Sequence, residues 1–252
     1  LGGNVGIGTT NPVSKLHLSN GSFTQDKPTP IEKVSAINLS PRSRGLFVSG
    51  KYAYITYATN ASSNISFQIY DVSRFDQRPS LIGQLTTADL DYSRAVKVAG
   101  RYAYVTTEGG KLSVIDVSNP SNPIRVSQTT SSFSAFELDV SGGFAYLTTT
   151  GDPLKRFKII DISNPLNPAP RGEVSNLEDD GFGVYVSGKY AYLTLRNNLG
   201  GGQSYLKIID IEDPDLPQVK STLNLGLSNA RGLYVSGRYA YIVFQQSSSG
   251  AN

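Results

Sequence analysis

Three arginines recur at one position of a repeated motif, and they are the residues of this chain best suited to recognition chemistry. Arg44, Arg94 and Arg231 each stand directly before a small residue at the start of a predicted strand, and Ser134 and Phe182 take that place in two other copies. A guanidinium group offers a planar fork of N–H donors that fits a carboxylate or phosphate. If the copies converge on a common axis, the five residues surround one mouth of a central channel. We predict a site for an anion or an acidic sugar there.

A second interpretation of the same arginines is purely structural. Glu137, Asp179 and Asp180 are acidic residues of nearby segments, and salt bridges to them would hold the arginines in place without any ligand. A small residue follows each of the five positions, and we interpret this as packing, because bulky side chains would clash near an axis. These small residues are Gly45, Ala95, Ala135, Gly183 and Gly232.

Catalytic and metal chemistry find little support in the sequence. His17 is the only histidine and lies outside the repeats, cysteine is absent, and no serine stands in a nucleophile-elbow motif. We therefore predict no enzyme activity, no cofactor and no metal site. Four aspartates recur, but they do not gather several oxygen ligands in one short loop, as calcium requires. We expect these aspartates to accept hydrogen bonds from turn amides or to pair with basic residues of the hairpins. The aspartates are Asp71, Asp116, Asp161 and Asp210. The basic residues are Lys51, Arg101, Lys189 and Arg238.

The arginines belong to a unit that occurs five times. Residues 231–244 (RGLYVSGRYAYIVF) nearly copy residues 44–57 (RGLFVSGKYAYITY), and related copies begin near residues 94, 134 and 182. The marker glycines are 50, 42, 46 and 49 residues apart; they are Gly50, Gly100, Gly142, Gly188 and Gly237. This period is typical of one blade of a β-propeller.

The second unit shows the predicted elements most clearly. Its apolar pattern predicts strands at residues 94–98, 102–107, 112–117 and 124–130. Gly100 supplies the positive φ of a tight hairpin, and two Asn-Pro steps enforce a turn after the third strand. The third strand is apolar on both faces, so both sides of the sheet must be covered. The sequence thus predicts an all-β fold: a β-propeller of four-stranded antiparallel blades, with four complete repeats and a partial fifth.

Tyrosines recur in the YAY part of the unit, immediately after each hairpin. Their strict repetition predicts inter-blade packing rather than a platform on which sugars or bases stack. They are Tyr52, Tyr54, Tyr102, Tyr104, Tyr190, Tyr192, Tyr239 and Tyr241.

The third strand and the turn after it resemble a known family. The segments SFQIYDVS, KLSVIDVS, FKIIDIS and LKIIDIE, with NPxNP turns after the second and third, closely resemble the LVIVD repeat family over about residues 30–244. That family comprises bacterial and archaeal surface proteins. The resemblance implies a β-propeller and specifies no activity.

Residues 1–27 precede the repeats and form a predicted leader. Residues 3–18 (GNVGIGTTNPVSKLHL) resemble a segment of phage tail fibres and bacterial surface proteins that joins a stalk to other modules. Alternating apolar residues predict short strands here, and an extended linker is the alternative. The resemblance implies neighbouring modules and leaves open a homo-oligomer formed through this segment.

The propeller domain is predicted at residues 28–252. Pro30–Leu39 aligns with the outer strands of later units, whereas the fifth unit has only two predicted strands. A chain that begins Leu1-Gly2-Gly3 is expected to be a processed or partial product. We expect it to continue beyond Asn252 in a parent propeller of five to seven blades.

Charge and hydropathy argue against two classes of partner. Lysine and arginine together number 23 against 20 aspartate and glutamate, a net charge of +3, which is too small for a nucleic-acid-binding face. No apolar run approaches the roughly 20 residues that cross a bilayer. We therefore expect neither nucleic-acid binding nor membrane insertion by this fragment.

The expected function is a non-catalytic extracellular binding or display module on a bacterial surface structure or phage fibre. It would engage a protein or glycan through the loop face of the propeller, where the polar loops 58–64, 197–204 and 245–252 offer adaptable hydrogen bonds. The alternative is a purely architectural subunit that spaces or decorates a filament, in contact with neighbouring subunits. An enzyme that uses the channel mouth is a third and weaker interpretation. The expected location is extracellular, at a bacterial or archaeal cell surface, or on a virion.

Overall fold

The computed structural model describes residues 5–7, 16–18, 36, 37, 39, 42–58, 65–74, 77–86, 90, 92–107, 109–129, 134–150, 157–177, 179–196, 202–227 and 229–245. The chain comprises two compact units, residues 1–34 and 35–252. In the first unit, β1 (Val5–Ile7) and β2 (Leu16–Leu18) pair in parallel, with Val5 opposite Leu16. These are the short strands that the apolar alternation predicts. Most of the predicted outer strand Pro30–Leu39 lies outside the described residues.

The second unit is built from antiparallel sheets in which each strand pairs with the strand before it in the chain. The first blade comprises β3 (Ser43–Ser49), β4 (Tyr52–Tyr57), β5 (Ile65–Asp71) and β6 (Ser80–Thr86). The second comprises β7 (Ser93–Ala99), β8 (Tyr102–Thr107), β9 (Leu112–Asp116) and β10 (Ile124–Gln128). The third comprises β11 (Ser134–Ser141), β12 (Phe144–Thr150), β13 (Phe157–Asp161) and β14 (Ala169–Val174). The fourth comprises β15 (Asp180–Ser187), β16 (Tyr190–Arg196), β17 (Gln203–Asp210) and β18 (Gln218–Leu227). The fifth has two described strands, β19 (Ala230–Ser236) and β20 (Tyr239–Phe244).

The first strands of the five blades lie side by side around an axis. β3 packs against β7, β7 against β11, β11 against β15, and β15 against β19. The predicted all-β architecture of four-stranded propeller blades is therefore confirmed, and the first strand of each blade is the innermost one.

A glycine in the left-handed region makes each tight hairpin between the first and second strands. The φ angles of the five marker glycines lie between 56° and 59°, a conformation that glycine adopts without steric cost. The prediction for Gly100 holds for its four counterparts as well.

The hydrophobic core is divided among the blade interfaces. Phe67 and Ile69 of the first blade pack against Val105 and Ile115 of the second, all four fully buried. Equivalent clusters lie between the second and third blades and between the third and fourth. The third strands of the second and third blades are apolar on both faces because each of these sheets packs against two neighbouring blades.

The tyrosine prediction is confirmed for Tyr54 and Tyr104, whereas Tyr190 and Tyr192 of the fourth blade are only half-buried and the fifth-blade tyrosines are exposed. Tyr54, Tyr104 and the equivalent Tyr146 are buried in the blade interfaces. In the fifth blade, Tyr239 and Tyr241 are 69% and 57% exposed. No described residues pack over their face of the sheet in the way that each later blade covers the blade before it.

The recurring aspartates cap the turns that follow the third strands. The Oδ1 atom of each accepts a hydrogen bond from the backbone N–H two residues later, at 2.8 to 3.0 Å; the aspartates are Asp71, Asp116, Asp161 and Asp210. Asp116 also pairs with Arg101, as predicted. Lys189, however, pairs with Glu212, whereas Asp210 pairs with Lys220.

The proline turns have a packing role that the sequence did not reveal. The turns of the third and fourth blades lie against the outer strand of the preceding blade. At these contacts, the turn either leaves no room for a Cβ on the outer strand or accepts a hydrogen bond from a hydroxyl group of that strand. A Cβ at Gly172 would stand 2.6 Å from Pro217 Cδ, and Ser127 Oγ donates to the carbonyl of Pro165 at 2.5 Å. The turn residues therefore help to set the spacing of the blades.

Gly45 and Gly232 occupy the same repeat position but differ in the space around them. A Cβ at Gly45 would lie 2.7 Å from Thr56 Oγ1 and would also contact the Arg94 carbonyl, whereas a Cβ at Gly232 would meet Val243 at an ordinary 3.8 Å. We expect Gly45→Ala to lower the free energy of unfolding by roughly 1–3 kcal/mol through overpacking. Gly232→Ala is the matched control and should change it by at most about 1 kcal/mol. Urea denaturation checks both; equal losses would show that the close approach of the first two blades is not rigid.

Candidate functional site

The arginine positions lie in a bulge that recurs in every blade. The pairing between the first and second strands shifts at the same place in all five sheets; the shifts lie at Ser43/Leu46, Ser93/Val96, Ala135/Glu137, Gly181/Gly183 and Ala230/Leu233. A bulge places an extra residue opposite one partner and re-aims its side chain. The residue before each small position is therefore turned away from the regular strand.

The register of the third blade corrects one predicted position. Leu138 lies opposite Leu147, just as Val96 lies opposite Val105. Phe136 is therefore the counterpart of Arg94, whereas Ser134 lies two residues earlier, opposite Thr150. The prediction used the small residue Ala135 as its marker, but the register is set by the apolar residues that face the neighbouring blade.

Glu137, and not Ala135, consequently occupies the small position of the third blade. The other four blades place Gly45, Ala95, Gly183 and Gly232 there. The five rim residues, as the structure defines them, are Arg44, Arg94, Phe136, Phe182 and Arg231.

Four of the rim residues form a continuous row of cation–π and aromatic contacts. The Arg94 guanidinium lies 4.6 Å from the centre of the Phe136 ring, and that of Arg231 lies 4.4 Å from the centre of the Phe182 ring. The two phenylalanine rings meet edge to face at 4.9 Å. Each cation–π contact contributes about 0.5–2 kcal/mol. The row thus holds two guanidinium groups in defined positions across four blades.

The remaining arginine of the rim is exposed. Arg44 lies on the first blade, and it lines a pocket of about 170 Å³ together with Arg94, Phe136 and Glu137. The structure therefore brings Arg44 and Arg94 to one pocket, and it joins Arg94 to Arg231 through the two aromatic rings.

Positive charge is concentrated at the Arg231 end of the row. Partial burial first, and then the neighbouring Arg196, lower the pKa of Arg231 below the usual range of arginine. The Arg231 guanidinium stays protonated at neutral pH, since the ordinary pKa of arginine is above 12. Its Nε donates to Gln245 Oε1 at 2.9 Å. An anion close to this end of the row would relieve the repulsion between the two guanidinium groups.

Threonines on the second strands connect the rim of one blade to the next. Gly45 N–H donates to Thr56 Oγ1, which in turn donates to the Arg94 carbonyl. Thr194 Oγ1 donates to the Arg231 carbonyl at 3.0 Å. Sequence reasoning missed this role, although a threonine follows the YAYI, YAYV, FAYL and YAYL segments.

The third blade breaks the threonine pattern. Its threonine, Thr148, is buried, and its Oγ1 has no hydrogen-bond partner. The adjacent small position of this blade carries Glu137. The Thr148 hydroxyl and the Glu137 carboxyl thus lie at the same level of the channel, because the two residues are opposite each other in the sheet.

A cavity of about 330 Å³ lies between the inner strands of the blades. Its lining comes from all five blades and includes Gly45, Ala95, Gly183 and Gly232, together with Arg44, Lys97 and Glu137. Among the described residues, each inner strand has a partner strand on one side only, and some of its remaining backbone groups bond to side chains, as the Arg94 carbonyl and the Val186 N–H do. We call this space the channel cavity; the glycines and the alanine keep it open.

Glu137 is the acidic side chain that lines both the channel cavity and the smaller pocket. Burial raises the pKa of its carboxyl to about 7, and the nearby Asp139 adds to the effect, while the Leu138 amide and Lys97 oppose it. Leu138 N–H donates to Glu137 Oε1 at 3.2 Å. Among the described residues, no ion pair includes Glu137, so the predicted salt bridge from a rim arginine to this acid is not formed.

A second layer of polar and aromatic side chains lies further along the inner strands. Lys97 Nζ pairs with Asp139 at 3.2 Å and lies 5.4 Å from the centre of the Phe47 ring. Asp139 Oδ2 also accepts the Val186 N–H at 2.8 Å. Tyr185 and Tyr234 meet edge to face at 5.1 Å. The Lys97 and Asp139 charges therefore neutralise each other below the rim.

Other predicted contributors fall largely outside the described residues. These include loop residues 59–64, 197–201 and 246–252. Within the described ranges, no three potential metal-binding side chains of His, Cys, Asp or Glu come together. The same ranges contain no helix with the length and apolar character needed to cross a bilayer.

Comparison with known proteins supports the repeat architecture. The LVIVD repeat model matches residues 42–74, 92–130, 134–175, 181–224 and 228–248. No curated protein matches the chain by sequence.

Solved structures similar to the chain include a β-propeller domain and two proteins whose names describe other properties. The periplasmic gluconolactonase PpgL of Pseudomonas aeruginosa has a TM-score of 0.67 at 16% identity, over 83% of this chain and 66% of that one. The Cps50 (Swd1) β-propeller domain of Myceliophteria thermophila has a TM-score of 0.60 at 12% identity, over 82% of this chain and 64% of that one. A hypothetical selenium-binding protein of Sulfolobus tokodaii has a TM-score of 0.55 at 12% identity, over 70% of this chain and 53% of that one. The chain spans less than two thirds of the length of each, and at these identities the likeness extends to the fold alone.

Proposed function

Because the chain belongs to the LVIVD repeat family, which defines an architecture and leaves function to the site, we propose that it is a non-catalytic binding module. Its ligand, a glycan or protein, would present an anionic group to the rim residues at the channel mouth. The observation that carries this proposal is the row Arg94–Phe136–Phe182–Arg231, with Arg44 beside it. Fixed guanidinium groups above an open cavity suit the capture of a carboxylate, sulfate or phosphate.

The setting that we propose is extracellular, on a bacterial or archaeal surface structure or a phage fibre. The proposal follows from the resemblance of residues 3–18 to stalk-joining segments. In such a setting the leader would attach the propeller to neighbouring modules and the rim would face the ligand.

An anionic glycan array tests the binding proposal directly. We expect the intact chain to bind carboxylated or sulfated glycans, and the triple variant Arg44→Ala, Arg94→Ala, Arg231→Ala to lose at least about 100-fold in affinity, since each charge-assisted contact is worth about 1.5–3 kcal/mol. Arg238→Ala removes an exposed arginine of the fifth hairpin and serves as the charge control. Equal binding by the triple variant and the intact chain would overturn the proposal.

An architectural role is the second candidate, and in that role the fifth blade would supply the contact face. Tyr239, Tyr241 and Val243 are all more than half exposed, whereas the equivalent face of the second blade is buried against the third. A blade of a neighbouring copy would fit this face. Sedimentation velocity at rising concentration tests it: self-association that Tyr241→Lys abolishes would support the role, and a monomer at all concentrations would contradict it.

A further inference from the structure

The channel cavity contains a chemical asymmetry that the repeat does not require. Four blades place Gly45, Ala95, Gly183 or Gly232 at the small position, and the third places Glu137 there. Because the other blades show that an alanine or glycine is sufficient at this position, the carboxyl is not needed to build the channel.

The carboxyl of Glu137 is poorly satisfied within the protein. Its hydrogen bond within the described residues comes from the N–H of the next residue, Leu138, at 3.2 Å. A carboxylate offers about four acceptor positions, and a partly buried one with a single long hydrogen bond is costly unless water or a ligand donates to it. The group therefore has room to accept hydrogen bonds from a molecule in the cavity.

Two guanidinium groups share the pocket with this acid. Arg44 and Arg94 line it together with Glu137, and the position of Arg94 is fixed by its contact with the Phe136 ring at 4.6 Å. The next layer is neutral as a whole, because Lys97 is paired with Asp139. The pocket thus places two guanidinium groups beside one carboxyl group, so a ligand there meets donors for an anionic group and an acceptor for a hydroxyl.

The ligand must combine a negative group for the arginines with hydroxyl donors for Glu137. Sulfate alone offers no donor and would be repelled by the carboxylate, and a neutral sugar offers no negative group for the arginines. A hexuronate carries one carboxylate and several hydroxyl groups on a single ring. The cavity of about 330 Å³ is at the small end of the range for small-molecule sites, which fits one such ring rather than a longer chain.

We propose that the channel cavity and the adjoining pocket of Arg44 and Arg94 bind one hexuronate residue, free or at the end of an acidic glycan, with its carboxylate at the two arginines and a hydroxyl donating to Glu137. This assignment rests on the proposed binding function and makes its ligand specific. Glu137 is then the residue that separates hexuronates from simple anions, and it contacts the ligand directly.

Calorimetric titration of the intact chain tests the assignment with four probes: galacturonate, glucuronate, galacturonate methyl ester and inorganic sulfate. We expect one of the two hexuronates to bind, the ester to bind at least about 10-fold more weakly because its charge is gone, and sulfate to bind no better than the ester. Glu137→Ala should weaken hexuronate binding at least about 10-fold and leave sulfate binding unchanged or stronger. The variant should fold, since Ala95 occupies the same position of the second blade, and thermal unfolding by circular dichroism checks this.

The outcomes separate this assignment from the broader proposal. Hexuronate affinity that is unchanged in a folded Glu137→Ala variant, yet lost in the triple arginine variant, would overturn the role of Glu137 and leave the anion-binding rim in place. Binding of sulfated glycans without any hexuronate binding would overturn the ligand assignment alone. If the triple variant binds all probes as the intact chain does, both proposals are wrong.

Discussion

Replacing Tyr104 with alanine is expected to lower the free energy of unfolding by roughly 3–5 kcal/mol, the range for deleting a buried aromatic side chain. Tyr104 is 3% exposed and packs in the interface between the second and third blades. The deletion would leave a cavity between two sheets whose backbones are held by their own ladders, so the walls cannot collapse to fill it. Urea denaturation followed by circular dichroism measures the loss as a shift in midpoint at constant slope.

The fifth blade supplies a matched control in the same motif. Tyr241 stands at the position of Tyr104 in its own YAY segment but is 57% exposed. Tyr241→Ala should therefore change the free energy of unfolding by about 0.5 kcal/mol or less, and Tyr104→Phe should retain most of the stability because the ring remains. Similar losses at Tyr104 and Tyr241 would mean that the fifth-blade face is covered in solution.

Replacing Glu137 with glutamine is expected to stabilise the protein at pH 8 by roughly 1–3 kcal/mol and to have little effect at pH 4. The folded-state pKa of this carboxyl is raised from 4.5 to about 7, chiefly by burial. The folded chain therefore binds the proton more tightly than the unfolded chain does. Its stability falls as the pH rises from about 4.5 to about 7, and the loss persists above that range. A glutamine does not ionise and avoids this loss.

The neighbours of Glu137 modify this burial effect. The Leu138 amide and Lys97 lower the pKa of the carboxyl, and Asp139 raises it further. Chemical denaturation at pH 4, 6 and 8 gives the profile, and Glu173→Gln at an exposed position is the control for the same substitution outside the channel cavity. A stability difference between Glu137→Gln and the parent chain that is equal at all three values would show that the carboxyl is solvated.

Local chemistry explains why much of the fold could be predicted from the sequence alone. A glycine that must adopt positive φ, an aspartate that accepts the amide two residues later, and an Asn-Pro turn act within a few residues. Repetition then multiplies each local signal, so the period and the strand order of the blades follow from the printed residues. The apolar third strand even indicates that each sheet is covered on both sides.

The candidate site depended on contacts between residues far apart in the chain. The sequence predicted that Arg44, Arg94, Phe182 and Arg231 share equivalent positions, but it placed Ser134 where Phe136 lies, because a bulge and the packing of Leu138 set the register. The contact between Phe136 and Phe182 joins residues 46 positions apart. No local pattern encodes such an approach.

The sequence by itself determined the repeat, the all-β class, the hairpins and the general position of the arginines, because these follow from periodicity and backbone preference. Only the tertiary structure decided that Glu137 enters the channel cavity, that two arginines stack on phenylalanine rings, and that the tyrosines of the fifth blade are exposed. Those features depend on which residues of the neighbouring blades pack against each side chain. Burial and electrostatic environment are properties of the packed blades and not of any single repeat.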